Sequence, residues 1–349
     1  MALAVERQWD PRAPLEGVAI TRYGHGLPTS RIRVVEAGHP VPDEAGENAA
    51  AEILQKAKAL REDDLLLALL SGGGSSLLSL PGPGISISQL KNLTNQLLRS
   101  GAPIQEMNTV RKHLSAIAGG RLAAACRAPV VALIISDVTG DDPTHIASGP
   151  CVADPTTIDD AKAILARYRI EFGGPFSESP KSVTAANKVI ATAYRSLEAA
   201  AAVFRSQGIR PEILGDTITG EASEVGREMA RRALRTKGPA VLISGGECTV
   251  TIKGEGGRGG RCAEFLLALG VELDGAPNVW GIAADTDGID GSEDNAGAVL
   301  APDSIRRNPE GKRLLEKHDS YGFFQSLGDL VVTGPTRTNV NDYRAILIL

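Results

Sequence analysis

The sequence predicts an α/β protein of two domains, each a parallel sheet flanked by helices. Three observations carry that expectation. Val130-Val131-Ala132-Leu133-Ile134-Ile135 is an unbroken apolar run rich in β-branched residues, which suits a strand buried on both faces of a parallel sheet. Short strand-like runs alternate with helix-length segments along the chain, the succession that builds βα units. The 349 residues exceed one ordinary core, and 39 glycines against 4% aromatics favour small aliphatic packing around many turns. A ligand cleft between the two domains is the expected site.

The formal net charge is −5 with both signs interspersed, so no basic field exists to attract nucleic acid. Cys126, Cys151, Cys248 and Cys262 show no C-x-x-C spacing, which argues against a disulfide framework and for a cytoplasmic chain. No apolar run approaches the ~18 residues of a membrane span. Glu6, Arg7 and Asp10 come too early for a signal peptide, so neither membrane nor export is expected.

Residues 1–8 read as the tail of a helix with no cap and no strand before it. Strands are expected at 18–20 and 32–36, and an alanine-rich helix at 45–60. A second apolar run at 64–70 flows into Ser71, Gly72, Gly73, Gly74, Ser75 and Ser76. Three glycines bracketed by serines let backbone N–H groups converge on an anion, a phosphate or a carboxylate. No Lys-Ser or Lys-Thr follows, so this is not a Walker A loop, and a plain surface turn is the alternative.

Helices follow at 87–100, closing at Gly101, and from 107 to 114. Arg111, Lys112 and His113, ahead of Gly119-Gly120-Arg121, gather positive charge in an otherwise acidic chain. Such a cluster suits an anionic substrate, with a solvated helix face as the alternative. The central strand then ends in Asp137, Asp141 and Asp142. Ligands of open parallel sheets bind beyond the carboxyl ends of strands, so these carboxylates suit a cation or a phosphoryl-bound metal. A turn cap is the competing reading.

After a helix at 159–168, residues 171–182 lose periodicity and carry Gly173, Gly174, Pro175 and Pro180, dividing a domain 1–180 from a domain 181–349. The second domain is expected to run helix 187–207, strand 212–214, helix 221–235, strand 240–244 and a β-type run at 249–253. Gly254, Gly256 and Gly259 satisfy G-x-G-x-x-G, but the preceding strand carries Lys253 and no acidic strand end lies near the offset of a dinucleotide site. With Arg258 and Arg261 opening a helix at 263–270, this stretch reads instead as a phosphate clamp, Arg261 being the electrophilic contact. Strands are expected at 279–283 and 331–333. The D-x-D-G-x-D order from Asp285 to Asp290 lacks the glutamate of a calcium loop, leaving a turn and a cation or substrate contact both open. Residues 334–342, polar and rigid, read as a binding loop.

These stretches, taken together, resemble the class of glycerate kinases whose C-terminal half is the MOFRL domain. The likeness rests on residues 36–43, 71–75, 108–114 with Gly119-Gly120-Arg121, 136–150, 244–247, 259–261, 286–291 and 334–342. The resemblance implies a Rossmann-like N-terminal domain, a MOFRL-type C-terminal domain, and phosphorylation of D-glycerate with ATP and Mg²⁺ to give 2-phosphoglycerate. Phosphoryl transfer needs positioning and charge neutralisation above all. Ser71, Gly72, Gly73, Gly74 and Ser75 would cradle phosphates, and Arg261 would stabilise the transferring group. Asp137 would accept the glycerate hydroxyl proton or hold the metal, with Asp141 as a second metal ligand. Arg111 and Lys112 are expected at the glycerate carboxylate from their charge alone.

Family members carry a strand, a glycine and a lysine ahead of the helix that begins here at Met1, so the expected first domain lacks its first strand and that lysine. Cys262, Cys151 and Arg337 also replace the asparagine, threonine and glycine of the family pattern. Two rivals stand beside the kinase: an NAD-linked hydroxypyruvate reductase, and a truncated non-catalytic ligand-binding relative. A homodimer is left open.

Overall fold

The computed structural model describes residues 1–138, 140–252 and 256–349. The chain divides into two compact units, Met1–Ile190 and Ala191–Leu349. In the first, strands β1 (Gly17–Arg22) and β2 (Ile32–Ala37) pair in parallel. Helix Glu44–Ala59 follows, its N-terminus capped by Asp43, whose carboxylate accepts from Gly46 N at 3.0 Å. Strands β3 (Leu66–Leu70) and β4 (Val130–Ile135) then pair in parallel with Leu70 opposite Ile134, and β5 (Ala186–Ala191) completes a three-stranded sheet. Ala50, Leu54 and Ala57 of the helix meet Ala68, Leu70, Ala132 and Ile134 of the strands in one core. A second core forms among helices Ile87–Arg99, Ile104–Lys112 and Ile158–Arg167. The first and third of these begin with reciprocal capping boxes, Ser86 with Gln89 and Thr157 with Asp160.

In the second unit β6 (Arg210–Gly215), β7 (Gly220–Glu221), β8 (Ala240–Gly246), β9 (Cys248–Thr249), β10 (Val279–Asp285), β11 (Gly297–Leu300), β12 (Leu330–Val331) and β13 (Asp342–Ile348) appear in turn. Six of them form one sheet ordered β12-β11-β10-β13-β8-β6. Helix Ala193–Ser206 covers one face, and helices Ala222–Arg235 and Arg261–Leu273 cover the other. Among the described residues no helix is long and apolar enough to cross a membrane.

The α/β class stands, with corrections in detail. Only β6–β8 is parallel in the second sheet, and its other four pairings are antiparallel. Helix Arg261–Leu273 still crosses from β8 to β10, but β13 inserts antiparallel between these two strands and β11 returns antiparallel beside β10, so antiparallel pairings replace the parallel windings. The helix expected at 187–207 begins at Ala193, where Thr192 accepts from Arg195 N at 3.2 Å. Val189 and Ile190 before it are β-branched and join the first sheet as part of β5, so the first unit reaches Ile190 rather than 180. Among the described residues of the strand-like run at 249–253, Thr249 alone is in a strand, as the end of β9, which pairs with Gly220–Glu221. Thr139, Lys253, Gly254 and Glu255 lie outside the described residues.

The two helices beneath the second sheet approach closely at Gly226, where an added Cβ would lie 2.3 Å from the Phe265 carbonyl oxygen and 3.0 Å from the Ala268 methyl. Alanine would gain ~1 kcal/mol of helix propensity, yet forcing the helices apart costs ~1–3 kcal/mol. Gly226→Ala should therefore lower the urea midpoint of the chain, and a midpoint unchanged or raised would show that the helices separate freely.

Candidate active site

Because β3 and β4 lie side by side in parallel register, the segments that leave them emerge at one sheet end. That places the glycine loop against Asp137. A Cβ on Gly72 would sit 1.9 Å from Asp137 Oδ2, so only glycine fits there. Gly73 takes φ +76 as the N-cap of the short helix Gly74–Leu77, and its missing Cβ would lie 3.0 Å from the His39 ring. A Cβ on Gly74 would lie 2.4 Å from that of Ala147. The loop is thus wedged between three other stretches; Ser76 N donates to the Gly73 carbonyl at 3.1 Å, while the N–H groups of Gly74 and Ser75 precede the first intrahelical acceptor. Ser76 bonds the Gly73 carbonyl through its hydroxyl at 3.0 Å. Asp141 sits at φ +54 in a turn closed by its N–H on the Val138 carbonyl at 3.1 Å, and Asp142 accepts from Thr144 N at 2.9 Å. Among the described residues no three His, Cys, Asp or Glu side chains converge to hold a metal.

Arg111, Lys112 and His113 diverge. Lys112 is 1% exposed and donates to Asp154 Oδ1 at 2.6 Å. Burial would raise the Asp154 pKa, but hydrogen bonds from Lys112, Ser179 and Thr156 overrule it and hold the carboxyl at about 2. Lys112 is spent inside the fold, and the expectation that it holds a substrate carboxylate is corrected. His113 is equally buried, with ring nitrogens against the Thr109 carbonyl at 2.9 Å and Glu178 at 3.2 Å. Arg121 ties the Lys112 and Ser177 carbonyls at 2.6 and 2.7 Å.

Arg111 faces the other way, into a small pocket that Ser75, Ser115 and Ser148 also line. Burial, with no carboxylate to oppose it, pushes the guanidinium down to about 10, still charged at neutral pH. Its hydrogen bond is to Asn108 Oδ1 at 3.4 Å. Burial also lowers the pKa of His39, and the charges of Arg22 and Arg111 lower it further, so a neutral imidazole adjoins the loop. Asn108 and Ser148, 1% and 2% exposed, link the parts. Asn108 Nδ2 donates to the His145 carbonyl at 3.2 Å, while Ser148 Oγ lies 3.2 Å from Asn108 Oδ1 and 2.9 Å from Ser75 Oγ. Ala147 and Ser148 hold φ +51 and +57, an unusual conformation for residues with a Cβ and one that concentrates at functional sites. His39, Asn108 and Ser148 lie in stretches that carry the resemblance but received no site role from the sequence, because each is a lone polar residue in an aperiodic or amphipathic stretch. The triple glycine was the signal that could have pointed to its packing partners.

In the second unit Arg261 donates to Asp342 at 2.9 Å, Glu247 at 2.8 Å and Asp285 at 2.7 Å. Burial alone would lower its pKa, and the three carboxylates more than reverse that. The guanidinium therefore pins β8, β10 and β13 together at one sheet end. The aspartates at the end of β10 and beyond it turn inward: Asp285 also accepts from Asp287 N at 3.0 Å, and Asp290 accepts from Cys262 N at 2.9 Å and Ala263 N at 2.8 Å. This is the turn alternative of the D-x-D-G-x-D stretch, capping a helix. Residues 334–342 are knitted to the same turn, Thr336 N donating to the Asp287 carbonyl at 2.9 Å and Val340 N to Thr286 Oγ1 at 2.9 Å.

Family profiles match residues 1–188, described as a domain of unknown function (DUF4147), and residues 240–342, described as the MOFRL family. A glycerate kinase crystal structure from Thermotoga maritima superposes with a TM-score of 0.89 at 39% identity, covering 96% of this chain and 85% of its own. The glycerate 2-kinase of Pyrococcus horikoshii is 41% identical over 98% of this chain and 83% of its own length. The chain belongs to the MOFRL class of glycerate kinases. It is accordingly a phosphotransferase by class. A protein of Agrobacterium vitis, provisionally named hydroxypyruvate reductase, is 53% identical over all of this chain and 84% of its own length.

Burial pushes Asp290 up to about 6 against an ordinary 3.8, despite the two N–H groups it accepts, and burial raises Asp285 likewise. The folded state thus holds protons that the unfolded chain releases near pH 4, so this contribution to stability is full below that pH and is lost as pH rises through 6. Asp154 acts oppositely, losing its contribution only as pH falls through about 2. Between pH 5 and 8 the second unit should melt at falling temperature. Trp280, with Trp9 replaced by Phe as the other tryptophan, reports it by fluorescence. Asp290→Asn should flatten the trend, and a midpoint that holds or rises over this range would show Asp290 ionised in the fold.

Proposed function

We propose that the chain phosphorylates D-glycerate with ATP, giving 2-phosphoglycerate. The observation that carries the reading is Arg111, a largely buried guanidinium with a neutral hydrogen-bond partner, opening into a pocket beside the glycine loop. A buried charge in that state is stabilised by a ligand carboxylate, and the names of the relatives supply the acid. Arg111 would hold the glycerate carboxylate. The backbone N–H groups of Gly73, Gly74 and Ser75 would receive phosphoryl oxygens, with Ser71 and Gly72 shaping the approach. Asp137, packed on Gly72, would take the proton of the attacking hydroxyl or hold a metal.

One or two carboxylates beside a phosphate loop fit Mg²⁺, which is ordinarily shared with nucleotide phosphates and not caged by protein alone. Asp137 would hold it, Asp141 being the second candidate, and when bound it would neutralise phosphate charge. Arg261 is our candidate anion contact of the second unit; its bond to the exposed Glu247 is the one it would exchange for a phosphoryl oxygen. The Agrobacterium relative favours a second reading, reduction of hydroxypyruvate. Oxidation of NADH or NADPH on adding hydroxypyruvate would establish it.

The deciding assay couples ATP, Mg²⁺ and D-glycerate to enolase and pyruvate kinase without phosphoglycerate mutase. Signal is expected; signal only after mutase addition would move the product to 3-phosphoglycerate, and silence in both would overturn the kinase reading. Arg111→Met should raise KM for glycerate at least about tenfold, the loss of one charge-assisted pair, while KM for ATP stays within about twofold.

A further inference from the structure

The pocket beside Arg111 holds a hydrogen-bond chain whose proton positions are determined by chemistry alone. Asn108 is fixed in its amide orientation from both sides: its Nδ2 donates to the His145 carbonyl at 3.2 Å, and its Oδ1 accepts from Arg111 Nη1 at 3.4 Å. A flipped amide would set donor against donor at the arginine and acceptor against acceptor at the carbonyl. Oδ1 is acceptor-only, so the contact at 3.2 Å from Ser148 Oγ requires the Ser148 proton. A hydroxyl has one proton, and Ser148 has then none left for Ser75. The 2.9 Å contact between the two serines must therefore be made by the Ser75 proton. Ser75 Oγ lines the pocket with lone pairs only.

The geometry points to Ser75 Oγ as the acceptor of a substrate hydroxyl, with buried Asn108 and Ser148 as the positioning residues that enforce this polarity. A group that offers only lone pairs repels a phosphate or carboxylate oxygen and accepts from an O–H. Set beside the Arg111 cation, it selects a small acid that carries both a carboxylate and a free hydroxyl, and it disfavours binding of a second phosphate in the same place. The division within one residue follows: the Ser75 N–H serves phosphate, and its hydroxyl serves the acceptor. The carbonyls of Ser148 and Gly149 are held by Gly119 N at 2.9 Å and Gly120 N at 2.8 Å, so the positive-φ turn that aims Ser148 is anchored independently of any ligand.

This inference rests on the glycerate reading and deepens it. The test compares D-glycerate with two competitive inhibitors that each lack one hydroxyl, D-lactate and 3-hydroxypropanoate, on the full chain. In the unaltered protein one of the two should bind about tenfold more weakly than glycerate, the scale of one hydrogen bond to a site built for it. In Ser75→Ala that gap should shrink to within about threefold. Ser148→Gly should do the same, since glycine keeps the φ +57 backbone without strain while removing the hydroxyl that takes the Ser75 proton. Both variants should retain the melting temperature and the KM for ATP, readouts that general damage to the site would move. Gaps that persist with both analogues in both variants overturn the inference while leaving the kinase intact. No turnover or binding of glycerate by the unaltered protein overturns the kinase reading and this inference with it.

Discussion

The contact on which the first unit's site depends is the approach of the Asp137 carboxylate to the backbone of Gly72. It follows from two parallel strands in register, Leu70 opposite Ile134, whose continuing loops have only one sheet end to occupy. A side chain on Gly72 would meet a carboxylate oxygen at 1.9 Å, so the loop composition answers to the neighbouring strand as much as to any ligand. The same logic extends to Gly73 under His39 and Gly74 under Ala147. Three glycines that look like freedom in the sequence are, in the fold, three places where another stretch has taken the space.

Two arginines show how partners decide what a cation can do. Arg261 is ringed by Asp342, Glu247 and Asp285, whose field binds its proton more tightly and whose oxygens occupy its donors. Arg111 is pushed the other way by burial without a carboxylate. The sequence made both of them anion contacts, Arg261 for the transferring group and Arg111, together with Lys112, for the glycerate carboxylate. Helical geometry separates neighbours i and i+1 by about 100° around the axis, which turned Lys112 to Asp154 and Arg111 to the pocket.

The parts of the fold legible in the sequence were those written locally. The apolar run at 130–135, the alanine-rich helix and the glycine loop after β3 all carried their own periodicity or composition. The antiparallel half of the second sheet was not legible, because β13 sits between β8 and β10 only through contacts with residues about 100 positions away on β8 and about 60 away on β10. Asp137 and the glycine loop were reached from strand ends, a rule of topology. Asn108 and Ser148 were not, since a buried polar residue looks like any helix or turn residue until its partners are known. The acidic turn from Asp285 stayed open between a turn and a ligand contact for the same reason: its carboxylates are used on backbone N–H groups and on Arg261, which no spacing reveals.

Strain and polarity in the first unit are tied together. Ala147 and Ser148 would relax to ordinary backbone angles if nothing held them, at a gain of order 1–3 kcal/mol each. Two glycine N–H groups hold the carbonyls of Ser148 and Gly149, and Asn108 holds the Ser148 hydroxyl. The strained turn is what brings Ser148 Oγ to Ser75 and the Ala147 methyl against Gly74. Relaxing it would release the serine and open the glycine loop in one movement. A loop meant only to turn the chain would have no reason to retain such a conformation; a loop that must present N–H groups on one side and bare lone pairs on the other does, because water alone would hold neither arrangement fixed.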